Sequence, residues 1–171
     1  MSDKDKAANL FQEAMEEFVG HNYGRSVDLL NQALDADPDH KLAHMSRGAA
    51  YLKLDRALEA IDDFNWVIDN DSNYARAWHL RGLAHEKTGN DQEALNDFNR
   101  AIEIDPQYGA AYYSRATLHT KLGNTDSATE DARMVTHLTE LNIQSFSDEN
   151  NIWRSQHLKL EESGVADVMN R

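Results

Sequence analysis

Three sets of residues in this chain have types and spacings that chemistry uses. Among eight histidines, His40 and His44 stand four apart, and His85 and His119 stand thirty-four apart. Arginine and aspartate recur at a separation of sixteen, as Arg47 with Asp63, Arg81 with Asp97 and Arg115 with Asp131. Lys53, Lys87 and Lys121 recur at thirty-four. A metal site needs three or four converging ligands with outer support, and nothing in the sequence joins His40 and His44 to a third, so no metal is expected. The Arg–Asp pairs read either as a charged binding strip or as a ladder of ion pairs tying helices together. The ladder is favoured, because a partly buried charge that faces a partner helix needs its counter-ion there. The lysines read as a positive strip for a carboxylate or acidic peptide, or more simply as cations at helix C-termini. No nucleophile–base pairing, glycine-rich phosphate loop or paired catalytic carboxylate stands out. The chain reads as no enzyme, with no catalytic residue and no cofactor.

What must position these residues is a repeat. Gly82 has a twin at Gly48, Gly89 at Gly123, Phe98 at Phe64 and Tyr108 at Tyr74. The only prolines, Pro38 and Pro106, are two periods apart, with Ser72 midway. So many coincidences at one period signal a repeat architecture. Within Ala75–Tyr108, apolar residues recur at helical spacing in two blocks, Trp78 to Ala84 and Ala94 to Ile102. Between them Thr88-Gly89-Asn90-Asp91 can close the first helix through a left-handed glycine. Asp105-Pro106 ends the second, and the proline can open the next helix with the aspartate as its cap. Each helix pair leaves apolar faces that only neighbouring pairs can cover.

Composition bounds what such a chain can do. The 171 residues suffice for one domain with a core. Seventeen basic against 30 acidic side chains give a net charge of −13, which argues against nucleic acid and anionic membranes as partners. An acidic surface suits solubility or basic partners. There is no cysteine, which is compatible with a cytoplasmic location. The N-terminus MSDKDKAANL has no apolar leader core, and no run approaches the roughly 20 apolar residues of a membrane span.

The unit resembles a tetratricopeptide repeat. Trp78, Gly82, Ala94, Phe98, Ala101 and Pro106 fall on that family's signature positions, while Arg81 and His85 depart from it. The preceding unit keeps Gly48, Tyr51, Ala60 and Phe64, and the following one keeps Tyr112, Ala116, Gly123 and Ala128. The first unit diverges most: Ala14, Ser26, Leu30, Ala33 and Pro38 match, but Glu13 and Leu29 replace the arginine and aspartate of the others. The resemblance implies an all-α, right-handed solenoid of four helix-turn-helix repeats, at about 7–40, 41–74, 75–108 and 109–142, within a repeat domain over 7–142. A helix over 148–162, started by Ser147 and carrying Ile152, Trp153 and Leu160, is expected to cap the last repeat within a C-terminal segment 143–171. The tail from Gly164 is expected to fray.

The resemblance also implies a concave groove lined by the first helices. Its groove positions here are Phe11, Met15, Leu42, Met45, Ala49, Arg76, His79, Leu83, Tyr113 and Thr117, with Lys53, Lys87 and Lys121 at the helix ends. Methionine adapts to varied apolar partners, as a peptide groove would require. The competing reading is that Phe11 and the methionines are covered by the protein itself. Some family members clamp the terminal carboxylate of chaperones with basic and amide side chains. The corresponding positions here are Phe11, Met15, Ser46, Arg76 and Leu80, so no such clamp is expected. The sequence thus reads as a non-enzymatic scaffold or adaptor that holds a peptide segment of a partner protein in its groove. The alternative is a self-assembling structural protein, a homo-oligomer in which a terminal segment docks into a neighbouring copy.

Overall fold

The computed structural model describes residues 2–145 and residue 147. They form helices α1 (Asp3–Val19), α2 (Tyr23–Ala36), α3 (Lys41–Lys53), α4 (Ala57–Asn70), α5 (Ala75–Lys87), α6 (Asp91–Ile104), α7 (Gly109–Lys121) and α8 (125–145). From α1 to α7 each helix packs on the next in sequence, the first helices of successive pairs, α1, α3, α5 and α7, also touch one another, and Arg115 of α7 binds Asp131 of α8. The result is the all-helical, right-handed solenoid. α8 runs to 145, past the boundary at 142 expected for the repeat domain, and residue 147 is also helical. The capping helix expected at 148–162 and the tail from Gly164 lie outside the described residues.

Local chemistry fixes the helix ends. The Ser2 hydroxyl accepts from the Asp5 amide at 3.1 Å and the Ser2 amide donates to the Asp5 carboxylate at 2.9 Å, a capping box that satisfies two N-terminal amides. Within each pair the chain turns through one left-handed residue: His21 (φ 63), Asp55 (φ 57), Gly89 (φ 78) and Gly123 (φ 78), all at the repeat period. Pro106 departs from its expected place as a helix opener. It lies in the turn, and α7 starts three residues later behind Tyr108. The Asp105 carboxylate accepts from the Gln107 amide at 3.0 Å, so it stabilises the turn rather than capping a helix.

The core alternates small and large. Ala14 and Leu30, Gly48 and Phe64, and Gly82 and Phe98 are fully buried or nearly so. Small residues on the first helix of each pair let it approach the second, whose ring fills the contact. Beside this seam runs the Arg–Asp ladder. Arg81 Nε and Nη2 donate to both carboxylate oxygens of Asp97, at 2.9 and 2.7 Å, and Nη1 donates to Asn65 Oδ1 at 2.7 Å. Arg47 engages Asp63 and Asn31 in the same way, and Arg115 engages Asp131 and Asn99. The three aspartates are each 3% exposed, so their charge is compensated inside the fold rather than offered to a ligand.

Candidate binding groove

His40, His44 and His85 belong to the scaffold. His40 Nδ1 accepts from the Ala43 amide at 3.2 Å, capping α3. His44 stacks on Trp66 at 3.9 Å, with Nδ1 2.8 Å from Asp63 and Nε2 3.0 Å from the Pro38 carbonyl. His85 Nε2 lies 3.9 Å from Asp97. Among the described residues no group of three His, Asp or Glu side chains could hold a metal ion. Nor is any helix among them long and apolar enough to cross a membrane.

Two hollows open between the first helices. The first, of about 80 Å³, is lined by Met15, Phe18, Leu42, Met45, Ser46, Ala49, Tyr74 and Arg76. The second, of about 360 Å³, is lined by Ala49, Leu52, Lys53, Asp55, Leu80, Leu83 and Lys87. Ala49 lines both, so its small side chain forms a saddle between adjoining pits. The expected residues Met15, Leu42, Met45, Ala49 and Arg76 therefore meet in one pit, and Ala49, Lys53, Leu83 and Lys87 in the other. Met45 is 5% exposed and belongs to the core, so it serves as floor, whereas Leu42 is 49% exposed on the rim.

Lys87 is not a free cation, because its Nζ lies 2.6 Å from Asp55 Oδ1. That ammonium holds the exposed Asp55 carboxyl below its ordinary range. Lys121 is tied to Asp91 at 2.7 Å in the same manner and borders neither pit. Each of these lysines joins the end of a first helix to the preceding unit. Lys53 and Arg76 have no ion-pair partner among the described residues.

His79 and Tyr113 lie elsewhere, in an open cleft of about 430 Å³ between α7 and α8, with Ser114, Val135 and Leu138. His79 is buried. Its Nδ1 is 3.1 Å from the Tyr108 hydroxyl and its Nε2 2.9 Å from the Ser114 hydroxyl. Burial, with a smaller contribution from the Arg76 charge, lowers its pKa from 6.5 to about 4, so the ring is neutral near pH 7. Either hydroxyl can donate or accept, which suits a neutral ring.

Phe11 and Thr117 border none of these hollows. Phe11 stacks on His40 at 5.0 Å and joins the cluster around Leu30, while Thr117 donates to the Tyr113 carbonyl. Sequence reasoning missed Phe18, Tyr74, Leu52 and Asp55. Phe18 and Leu52 stand three residues after Met15 and Ala49, so a wider helical stripe could have found them. Tyr74 and Asp55 lie just outside helices, at turns that the groove positions do not sample.

Three family models described as tetratricopeptide repeat match residues 11–74, 75–108 and 98–130. No curated protein sequence matches the chain. Among solved structures, the first TPR of Spaghetti (RPAP3) bound to HSP90 peptide SRMEEVD is 25% identical, with a TM-score of 0.68 over 71% of this chain and 97% of that one. The second TPR domain of human RPAP3 in complex with HSP70 peptide SGPTIEEVD is also 25% identical, with a TM-score of 0.66 over 68% and 98%. MamA from Desulfovibrio magneticus RS-1 is 22% identical, with a TM-score of 0.74 over 80% and 77%, a likeness of fold.

Proposed function

The chain belongs to the tetratricopeptide repeat family, and we propose that it is a non-enzymatic scaffold that holds a peptide segment of a partner protein in its groove. The observation that carries this reading is the pair of adjoining pits between the first helices, joined at Ala49 and floored by apolar side chains. A largely preformed groove spares the ordering cost of binding, and a single segment would bind near micromolar, about −8 kcal/mol. The two RPAP3 domains, one bound to an HSP90 peptide and one to an HSP70 peptide, support peptide binding on this fold.

The test is a pull-down from an extract of the source organism, comparing the wild type with Leu42→Glu and Leu83→Glu, with helical content checked by circular dichroism. Met45 is too buried to serve. A partner captured by wild type and lost with folded variants supports the groove. Partners held equally by all baits would move the site off this face.

A second reading has its own observation. At the α7–α8 end, where a further repeat would pack, Tyr113, Leu141 and Ile143 are 66%, 48% and 65% exposed. An apolar end of this kind suits docking of a second copy, the self-assembling alternative. A mass that stays monomeric as concentration rises would exclude it.

A further inference from the structure

We infer that the groove takes an internal, acidic stretch of its partner carrying two apolar side chains, and that it does not need the partner's chain terminus. This rests on the groove reading above and names the ligand's chemistry.

The first observation is sign. The protein carries −13 overall, yet the charged residues lining the two pits are Arg76, Lys53, Lys87 and Asp55. Asp55 is neutralised by Lys87 at 2.6 Å. What remains is Arg76 at one pit and Lys53 at the other. Both are exposed and lack an ion-pair partner among the described residues. The groove is thus locally positive on an acidic molecule, and field complementarity selects against basic segments there.

The second observation is shape. Two apolar hollows separated by one alanine receive two side chains, each beside one cation. Met15 and Met45 give the first hollow a surface that adapts to leucine, methionine or phenylalanine.

The third concerns the terminus. A terminal carboxylate is held by several convergent donors. Here Arg76 is the one cation of its pit, with only the neutral hydroxyls of Ser46 and Tyr74 beside it among otherwise apolar side chains, so one exposed cation meets side-chain acids as well as it meets a chain end.

The experiment is fluorescence anisotropy with labelled peptides in which two leucines are set among glutamates, one amidated at its C-terminus and one with a free carboxylate. Controls replace the glutamates by lysine or the leucines by serine. The two leucine–glutamate peptides should bind within about twofold of each other, and both controls should bind at least tenfold more weakly. Arg76→Glu and Lys53→Glu should each weaken the acidic peptides about fivefold, the size expected of an exposed ion pair. Lysine-containing peptides that bind as well as the acidic ones overturn the inference, as does a free carboxylate that improves binding tenfold. No binding by any peptide also overturns it. Ala49→Phe, which fills the saddle, and the milder Leu42→Ser separate the two levels. If a basic or neutral peptide binds and these variants block it, the charge assignment fails while the groove stands. If no peptide responds to either variant, the groove reading fails too.

Discussion

A methyl group placed on Gly48 would lie 2.6 Å from Cε1 of Phe64, and the same construction on Gly82 meets Phe98 at 2.6 Å. Each glycine is therefore the seat of the ring sixteen residues on. Leu30 pairs with Ala14 at the equivalent positions of the first repeat, and the fourth repeat has Ala116 and Ala132 there. Where the small partner is alanine rather than glycine, the ring gives way to leucine or alanine.

Gly48→Ala should cost stability. Helix propensity gains about 1 kcal/mol, but displacing a fully buried ring costs about 1–3 kcal/mol. The expected net loss is about 1 kcal/mol by urea denaturation. Adding Phe64→Leu, which recreates the first repeat's pairing, should give a favourable coupling in a double-mutant cycle.

The ladder yields an asymmetry. Asp97→Ala leaves the Arg81 guanidinium, 18% exposed, with the neutral Asn65 oxygen and the Trp78 ring but no counter-ion. Its partial access to water tempers the full penalty of an orphaned buried charge, so the expected loss is about 3 kcal/mol. Replacing both partners by leucine should cost less than Asp97→Ala does alone. A double variant less stable than the single one would show that the pair is net stabilising.

Much of this was legible in the sequence, for a physical reason. Gly82 with Phe98 and Arg81 with Asp97 sit at fixed separations because two antiparallel helices joined by a short turn bring those positions together in every repeat. Asn31, Asn65 and Asn99 recur just as regularly, sixteen residues before each arginine. They went unread because an asparagine on a helix reads as surface until a neighbour from the next repeat reaches it. The pits were legible only in part. Met15 and Arg76 are sixty-one residues apart, and what joins them is the stacking of separate helices, not a spacing within one.

His79 gives a pH prediction. Its folded pKa of about 4 lies below the ordinary 6.5, so the unfolded chain binds more protons between those values. The stability from the neutral buried ring is complete above pH 6.5 and is lost as pH falls toward 4, by at most about 3 kcal/mol. Denaturation of wild type and His79→Gln across pH 7 to 4 should show a steeper fall for the wild type. Parallel curves would mean that the ring titrates as it does in water.

His21 occupies the left-handed position that glycine fills at Gly89 and Gly123. Gly89→Ala should lower stability by about 1 kcal/mol, since an added methyl meets nothing within 4 Å and only its conflict with the backbone changes. His21→Gly relieves the same conflict but loses the exposed 2.7 Å contact of Nδ1 with the Tyr23 hydroxyl, so it should raise stability by less than about 1 kcal/mol. Melting temperatures moving in opposite directions are the expected result.

Each arginine of the ladder clasps three successive helices: the asparagine of the unit before it, its own, and the aspartate of its own unit. Such a clasp couples neighbours, because the loss of one unit takes the asparagine acceptor away from the next unit's arginine while its ion pair stays whole. Solenoids otherwise tend to fray a unit at a time, and this one is riveted into a row that cooperates. The rivets begin at Arg47. In the first unit Glu13 and Leu29 stand where the arginine and aspartate would be, and the polar ties between α1 and α2 there are the Ser26 hydroxyl donating to the Ala14 carbonyl at 2.8 Å and the exposed Arg25–Glu17 ion pair at 3.3 Å. The row of rivets therefore starts at α2, and α1 is held to it mainly by the apolar seam of Ala14 on Leu30.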